Sequence, residues 1–229
     1  MAVMELSEVV PWGRTCAEYR AMFTLGDEML QRRLLDCGAG PSSFTAEWTA
    51  SGGQVTACDP LYAFDVESIR RRFDASVDTV MGQVRARPDR WSWTYHAGPD
   101  ALLAARHRAI DRFTEDLPRG LLAGRYVHAS LPELPFASRS FDVALCSHFL
   151  FLYSEQFSAD FHLGSVRELC RVAGEVRIFP LLTLDQERSP HLDAVCSLAC
   201  ELGLVASIER VSYQLQRGGD EMLRIRSAA

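Results

Sequence analysis

Lysine and asparagine are missing from this chain of 229 residues, so every one of its 24 basic side chains is an arginine. The 30 acidic residues outnumber the arginines, and the formal net charge is −6 at pH 7. An acidic chain provides no electrostatic footprint for the phosphates of a nucleic acid. The single run of arginines, at 70–72, is typical of the solvated face of a helix. We therefore expect no nucleic-acid partner.

Long apolar segments are also missing. No stretch approaches the roughly 20 apolar residues that are needed to cross a bilayer. The start of the chain, at 1–8, has neither a basic beginning nor an apolar run. These absences predict a protein without a signal peptide or a membrane partner, and hence a cytoplasmic location. The length and the 48% hydrophobic content are ordinary for one globular domain.

Seven cysteines, an odd number, are scattered along the chain without a C-x-x-C pair. Most lie within apolar runs, where cysteine usually serves as a small buried hydrophobic residue. Cys196 and Cys200 are one helical turn apart, but a zinc site needs two further ligands at suitable spacing and none is evident. The sequence predicts no metal site.

The most informative segment is a glycine turn between two short apolar runs that each end in an acid. The run at 33–37 contains Asp36 and leads into Gly38 and Gly40, and a second run is followed directly by Asp59. Glycine lets backbone amides approach a ligand because no Cβ intervenes. The helix predicted after the turn aims free N–H groups at the same place. A carboxylate after the second strand can accept both hydroxyls of a ribose. The pattern indicates a nucleoside-binding half-fold.

The turn lacks the third glycine of the dinucleotide fingerprint G-x-G-x-x-G, and no glycine follows Gly40 before the helix. This disfavours NAD or FAD, whose pyrophosphate needs the tight turn and the close helix–strand packing. A nicotinamide-dependent oxidoreductase that uses the same turn and Asp59 remains an alternative. Asp36 would repel a pyrophosphate, but it can receive a ligand ammonium group, directly or through water and backbone.

An acid followed by G-x-G, with Ser42 at the third position, resembles motif I of the class I S-adenosylmethionine (SAM)-dependent methyltransferases. The segment 134–147 resembles the L-P-F…S-F-D-x-V signature of small-molecule, type 11-like members of that family. Residues 167–179 resemble the helix, tight turn and fifth strand that follow. The matches run in the family's order from about residue 33 to 180. Residues 146–149 read Cys-Ser-His-Phe where base-amine methyltransferases carry D/N-P-P-Y, which favours small-molecule acceptors.

The resemblance implies an α/β fold with a Rossmann-like, mostly parallel sheet of seven strands, one antiparallel strand near an edge, and helices on both faces. We expect a single domain over 1–229, with an N-terminal helical lid at 1–32. A helical insertion is expected at 60–124, near the mouth of the active site. Strands are predicted at 33–37, 54–58, 125–129, 143–147, 176–181, 205–215 and 221–226. Helices are predicted from Thr15 onward and at 42–51, 66–73, 77–85, 99–113, 167–172 and 190–202.

The activity implied by the resemblance is methyl transfer from SAM to an O, S, N or C atom of a small molecule, with S-adenosylhomocysteine (SAH) as the product. A family member that binds SAM without transferring its methyl group remains an alternative. A monomer or a homodimer is expected.

The resemblance also implies which residues bind the cofactor. Asp59 is expected at the ribose, Ser130 and the backbone of Leu131 at the adenine. Arg14 and Tyr19 are expected at the methionine carboxylate or, alternatively, as packing residues. The complete expected set is Arg14, Tyr19, Asp36, Gly38, Ala39, Gly40, Ser42, Asp59, Pro60, Leu61, Ser130, Leu131 and Ser147.

His148 is the first candidate for a general base, because it follows the fourth strand and a free imidazole has a pKa near 6.5. A structural histidine is the alternative. Tyr153 and His162, in the polar segment that follows, are candidates for contact with the substrate. The alternating Trp91 and Trp93 are also predicted to bind substrate, with packing of the insertion as the alternative interpretation.

Overall fold

Seven strands form one sheet in the part of the chain that the computed structural model describes, residues 9–228. In chain order they are β1 Arg33–Cys37, β2 Gln54–Cys58, β3 Tyr126–Val127, β4 Phe141–Ser147, β5 Ala173–Phe179, β6 Leu204–Arg210 and β7 Glu221–Ser227. Their order across the sheet is β3-β2-β1-β4-β5-β7-β6. Strand β7 is antiparallel to both of its neighbours, and the other pairs are parallel. The predicted sheet is confirmed. The prediction of no signal peptide, on 1–8, lies outside the described residues.

Helices cover both faces of the sheet. Within residues 9–228 they are α1 Cys16–Phe23, α2 Phe44–Ala50, α3 Val66–Ala86, α4 Pro99–Leu122, α5 Ala159–Val172 and α6 Leu192–Glu201. Successive residues of a strand point to opposite faces. Accordingly, Leu34 of β1 packs in the core formed with α1 to α4, whereas Leu35 packs in the core formed with α5 and α6. The sheet therefore separates two apolar layers.

The two helices predicted at 66–73 and 77–85 are one continuous helix, α3. Residues 74–76 do not interrupt it, because the buried face continues through them from Phe73 to Val77 at helical spacing. An uninterrupted apolar stripe of this length packs along α4, which runs beside α3. Together these two helices make up most of the predicted insertion.

Other element boundaries also differ from the predictions, three of them with a clear cause or consequence. Helix α4 continues beyond 113 to Leu122, because Leu117 keeps its apolar face buried. Helix α5 begins at Ala159, where the Ser158 side chain caps it, and it runs into β5 without the predicted tight turn. Strand β6 ends at Arg210 instead of 215, and residues 211–220 form a longer connection to β7.

Parallel pairing brings the carboxyl ends of β1, β2 and β4 to the same edge of the sheet. Cys37, the last residue of β1, is in register with Cys58, the last residue of β2. Gly38, Asp59 and His148 each come directly after one of these strands. Ligands of open α/β sheets bind at this edge.

No helix among residues 9–228 combines the length and the apolar content needed to cross a membrane. The same residues bring no three His, Cys, Asp or Glu side chains together as potential metal ligands. The seven cysteines are free, and Cys37, Cys58 and Cys146 pack in the core formed with α5 and α6.

Candidate functional site

A cleft of about 650 Å³ lies at the carboxyl edge of the sheet. Its size falls within the range of roughly 300–1,000 Å³ that is usual for small-molecule sites. It is lined by the loops after β1, β2, β3 and β4, by residues between 9 and 14, and by residues of α1, α3 and α5. Most of the predicted cofactor residues line it, namely Arg14, Tyr19, Gly38, Ala39, Gly40, Asp59, Pro60, Leu61, Ser130, Leu131 and Ser147.

The glycine turn has the backbone conformation that its sequence predicts. Gly38 and Gly40 adopt φ values of 66° and 55°, in the left-handed region that glycine enters without strain. A Cβ built on Gly40 would meet nothing within 4 Å, so the turn leaves open space beside it. A Cβ on Gly38 would approach the ring of Phe149 to 3.0 Å. Both positions therefore require glycine, but for different reasons. Gly40 is required by its backbone conformation alone, whereas Gly38 is required by its conformation and also by the nearby ring of Phe149.

Asp59 fixes the shape of this turn. Its carboxylate accepts the backbone N–H of Gly40 at 2.9 Å and that of Leu61 at 2.8 Å. The Tyr62 hydroxyl donates to the Gly40 carbonyl at 2.9 Å and holds the turn from the other side. Burial raises the pKa of Asp59, and the two amide N–H groups partly offset that rise. Each carboxylate oxygen keeps a further lone pair with which to accept a ligand hydroxyl.

Asp36 lies behind the cleft and is fully buried. Its Oδ1 accepts a hydrogen bond of 3.1 Å from the Tyr19 hydroxyl, whereas Oδ2 has no partner among residues 9–228. Burial raises its pKa to about 8, an effect to which the neighbouring charge of Asp59 adds. The Tyr19 ring stacks on Phe44 with the centroids 4.4 Å apart, so the hydroxyl is held in place. Asp36 therefore does not line the cleft itself, and its connection to the cleft is the hydrogen bond to Tyr19.

Arg14 presents a guanidinium to the cleft. Its Nη1 donates to the Trp12 carbonyl at 2.8 Å, while Nε is buried without a partner. No carboxylate within residues 9–228 forms an ion pair with Arg14. Burial lowers the pKa of Arg14, and the charge of Arg106 adds to that effect, but a guanidinium stays cationic in proteins. The cleft therefore offers an unpaired cation to an anionic group.

Ser42 lies beneath the cleft and ties the glycine turn to the segment before α1. Its Oγ donates to the Arg14 carbonyl at 2.9 Å, and the Ser43 N–H donates to the same carbonyl at 3.0 Å. The two backbones come so close that a Cβ on Gly13 would lie 2.0 Å from the Pro41 oxygen. Residues 13–14 are thereby fixed over the turn. Gly13 was not among the predicted site residues.

His148 is the histidine whose ring lines the cleft within the described residues. Its backbone has φ of 51°, and its N–H donates to the Phe179 carbonyl at 2.6 Å. The ring Nδ1 lies 3.0 Å from the Ser147 hydroxyl. Burial, with the nearby charges of Arg14 and Arg106, holds the pKa of His148 well below its ordinary value of 6.5. The imidazole is therefore neutral at physiological pH.

A second, smaller cavity of about 70 Å³ adjoins the cleft. Val10, Trp12, Arg14 and His148 line both spaces, so the two meet at these residues. Among the predicted substrate residues, Trp91 and Tyr153 line the small cavity. It lies between the insertion and the connection 211–220.

Two predicted substrate residues line neither space. Trp93 is half-buried and packs against the core formed with α1 to α4. His162 is buried, and its ring nitrogens lie 2.8 Å and 2.9 Å from the carbonyl oxygens of Ser158 and Leu150. Contacts of this kind hold the His162 ring within the protein.

A buried ionic cluster, centred on Glu18 of α1, supports the wall of the cleft. The Glu18 carboxylate accepts hydrogen bonds from both terminal nitrogens of Arg106, one of them at 3.1 Å. His96 Nε2 and the Tyr213 hydroxyl each lie 3.1 Å from it. Burial alone would raise the pKa of Glu18, but Arg106 and these hydrogen bonds hold it well below its ordinary value. The predictions missed this cluster, although Thr15 and Glu18 show the T-x-x-E pattern of a capping box.

No protein-family model matches the chain. The uncharacterized protein MJ0045 of Methanocaldococcus jannaschii is 31% identical over 227 residues, which cover 99% of this chain and 100% of that protein.

Solved structures resemble the fold at much lower identity. The magnesium protoporphyrin IX methyltransferase of Synechocystis PCC 6803, with bound SAM, has a TM-score of 0.51 at 10% identity and covers 93% of this chain and 78% of its own. The 1,6-didemethyltoxoflavin-N1-methyltransferase of Burkholderia thailandensis, with its substrate and SAH bound, has a TM-score of 0.50 at 14% identity. That match covers 93% of this chain and 79% of the other. These likenesses show a shared fold.

Proposed function

Because the chain belongs to one family with the uncharacterized protein MJ0045 and has the fold of the class I SAM-dependent methyltransferases, we propose that it transfers a methyl group from SAM to a small molecule, releasing SAH. The observation that carries the proposal is the single cleft that the glycine turn, Asp59 and Arg14 line together. Solved neighbours with this fold hold SAM or SAH, which supports the choice of cofactor.

The residues present fit such a cofactor. Asp59 has lone pairs for two ribose hydroxyls, and Gly40 leaves open space beside the turn. Arg14, which lacks an ionic partner among the described residues, would bind the methionine carboxylate. Ser130 and Leu131, after β3, would contact the adenine. When bound, the sulfonium of SAM supplies an activated methyl group and leaves as a neutral thioether.

The remaining surface of the cleft supports a small, mainly apolar acceptor. Beyond the cofactor residues most of its lining is apolar, with Arg72, Ser76 and His148 as the polar members; the apolar ones are Val9, Val10, Pro11, Trp12, Phe64, Ala75, Ala129, Phe149, Phe157 and Phe161. Apolar walls exclude water from the reacting atoms and hold the acceptor in line. Alignment of this kind contributes up to roughly 7–11 kcal/mol to the rate when the geometry is near ideal.

His148 is the proposed general base for a substrate whose methylated atom must lose a proton. It adjoins both the cleft and the small cavity, and its imidazole is neutral and so has a free lone pair. Its low pKa makes it a weak base. The proposal therefore favours an acceptor whose own proton is easily lost, or one that reacts without losing a proton.

Isothermal titration of the purified protein with SAM, and separately with NAD, tests the proposal. We expect micromolar binding of SAM and no heat with NAD. Asp59→Ala should weaken SAM binding about ten-fold or more, because hydrogen bonds to a charged group contribute about 1.5–3 kcal/mol. Asp74→Ala is the matched control, since Asp74 is exposed on α3 and outside the cleft.

Binding of NAD in place of SAM would overturn the proposal in favour of the oxidoreductase alternative. SAM binding that Asp59→Ala leaves unchanged would overturn the ribose assignment. Incubation with candidate acceptors, followed by assay of released SAH, separates a methyltransferase from a family member that only binds SAM.

A further inference from the structure

One of the three consecutive arginines in α3 lies at the cleft without an ionic partner. The Arg70 guanidinium pairs with Asp111 at 2.8 Å. That of Arg71 pairs with Glu67 at 2.7 Å, as is usual on the solvated face of a helix. Arg72 makes neither an ion pair nor a hydrogen bond with any residue that the structure describes. It is exposed and lines the cleft, so a ligand in the cleft can reach it.

The position of Arg72 on α3 places it on the side of the helix that lines the cleft. Arg72, Ala75 and Ser76 all line the cleft, and residues spaced by three and four lie on one side of a helix. Because Ala75 and Ser76 are small, Arg72 is the longest side chain that α3 contributes there.

The Arg72 guanidinium is held beside an aromatic ring. Its Cζ lies over the ring of Phe64, 4.1 Å from the ring centroid, and Phe64 lines the cleft as well. The face of a ring attracts a cation but does not take up its N–H groups as an oxygen acceptor would. The guanidinium is therefore positioned while its donors remain available.

The charges around the cleft favour an anion in addition to the cofactor. Two arginines, Arg14 and Arg72, and one acid, Asp59, line the cleft within residues 9–228. Asp59 accepts an N–H of the glycine turn, and the proposed function assigns Arg14 to the methionine carboxylate. SAM has no second anionic group, and its ammonium and sulfonium are cationic. Since like charges repel, the cation of Arg72 is matched only by an anion that arrives with the acceptor.

We propose that Arg72 binds a carboxylate of the methyl acceptor, so that the substrate is an acid with an apolar body. A planar guanidinium matches a carboxylate in charge and, through two parallel N–H donors, in geometry. The rest of the acceptor packs against the apolar lining of the cleft. The inference rests on the proposed function and specifies its substrate class.

The test compares benzoate with benzamide, which has the same ring and a similar shape but no charge. Both are titrated into wild-type protein saturated with SAH, whose carboxylate occupies Arg14, and binding is followed by ligand-observed NMR. We expect benzoate to bind about five-fold or more tightly than benzamide at low salt. Added salt should reduce this preference, because it screens an exposed charge. The comparison needs no variant and so does not depend on a variant folding correctly.

Two variants then assign the preference to one arginine. In Arg72→Gln the affinities for benzoate and benzamide should agree within about two-fold, because the amide keeps N–H donors but lacks the charge. Arg71→Gln is the matched control, since it removes a neighbouring charge that pairs with Glu67 outside the cleft, and it should keep the wild-type preference. Neither variant should weaken SAM binding.

The inference is wrong if wild-type protein binds neither probe at about 20 mM, binds both equally, or responds alike to Arg72→Gln and Arg71→Gln. Loss of SAM affinity by about ten-fold in Arg72→Gln also overturns it, because Arg72 then serves the cofactor carboxylate. If neither SAM nor SAH binds, the proposed function fails, and the same titrations without SAH test the carboxylate site alone. A benzoate preference that Arg72→Gln abolishes there would leave this site standing.

Discussion

The hydroxyl of Tyr19 donates a hydrogen bond of 3.1 Å to Oδ1 of Asp36 and joins helix α1 to the end of strand β1. Both residues are fully buried or nearly so. The second carboxyl oxygen of Asp36 has no partner in residues 9–228. This carboxyl group lies behind the proposed cofactor site and does not line the cleft. Its protonation state therefore bears on both the stability of the fold and the charge beneath the cleft.

Asp36→Asn should stabilise the protein, and more so at pH 8 than at pH 5. Burial raises the pKa of Asp36 from 3.8 to about 8, so the native state holds a proton that the unfolded chain has released. The stability from this proton is complete below pH 3.8 and is lost as the pH rises to about 8. Asn keeps an oxygen acceptor for Tyr19 and does not titrate. Urea unfolding of both proteins at the two pH values measures the effect. If the free energies of unfolding of Asp36→Asn and the wild type differ by the same amount at both pH values, the raised pKa is contradicted.

Gly40→Ala should separate the strain of the glycine turn from its function. Gly40 and Gly52 have φ values of 55° and 86°, and a Cβ on either would meet nothing within 4 Å. Alanine at each position should therefore cost about 1–2 kcal/mol of left-handed backbone strain. Only Gly40 lines the cleft, so only Gly40→Ala should also weaken SAM binding. Urea unfolding and SAM titration on both variants check this. Equal SAM affinities would argue against the turn as part of the cofactor site.

The imidazole of His148 should stay neutral in the folded protein down to well below pH 6.5. Burial and the charges of Arg14 and Arg106 oppose its protonation. Because the unfolded chain takes up this proton more readily, the stability that depends on His148 is complete above pH 6.5 and is lost as the pH falls below that value.

NMR of the histidine ring signals across pH 5–8 measures this, and His148→Asn assigns the His148 signal, since Asn tolerates the positive φ. A signal that titrates near pH 6.5 would show that the ring is more solvated than its contacts indicate.

Glu18→Gln should be among the most destabilising single-atom changes in the chain. It removes the charge that Arg106 faces in a buried cluster, and breaking a buried pair in this way costs about 3–5 kcal/mol. Glu67→Gln is the matched control, because Glu67 pairs with Arg71 one helical turn away on the exposed side of α3. Exposed pairs of this kind contribute little. Guanidinium unfolding of both variants gives the comparison, and equal losses would mean that the Glu18 cluster does not hold the native state together.

The sheet could be predicted because its strands are short apolar runs with sharp ends. β1 and β2 are bounded by Gly38 and Asp59, and the structure places both strands where the sequence does. The division of α3 into two helices was wrong, because a polar stretch at 74–76 looks like a break unless the buried face on either side is known. The ends of α4 and of the connection after β6 depend on packing with distant segments. Local sequence patterns do not predict such packing.

The residues of the glycine turn were easier to bring together from the sequence than those of the small cavity. Gly38, Gly40 and Asp59 belong to one contiguous motif, and the structure brings them together in one cleft. Trp91 meets Gln216 across an isolated bridge between segments that are far apart in the chain. No periodicity signals such a pair. The role of Trp91, like those of the other site residues, stays a prediction until the titrations are made.

The Glu18 cluster also sets an order of events during synthesis. Its partners His96, Arg106 and Tyr213 lie 78, 88 and 195 residues further along the chain. Long-range contacts of this kind form late, because the loops between them must close first. As the chain emerges from the ribosome, the Glu18 carboxylate can meet His96 and Arg106 first, and its set of partners is complete only once Tyr213 has left the exit tunnel. The strands that carry the glycine turn can pair well before then, so the binding edge forms early and its wall is completed last.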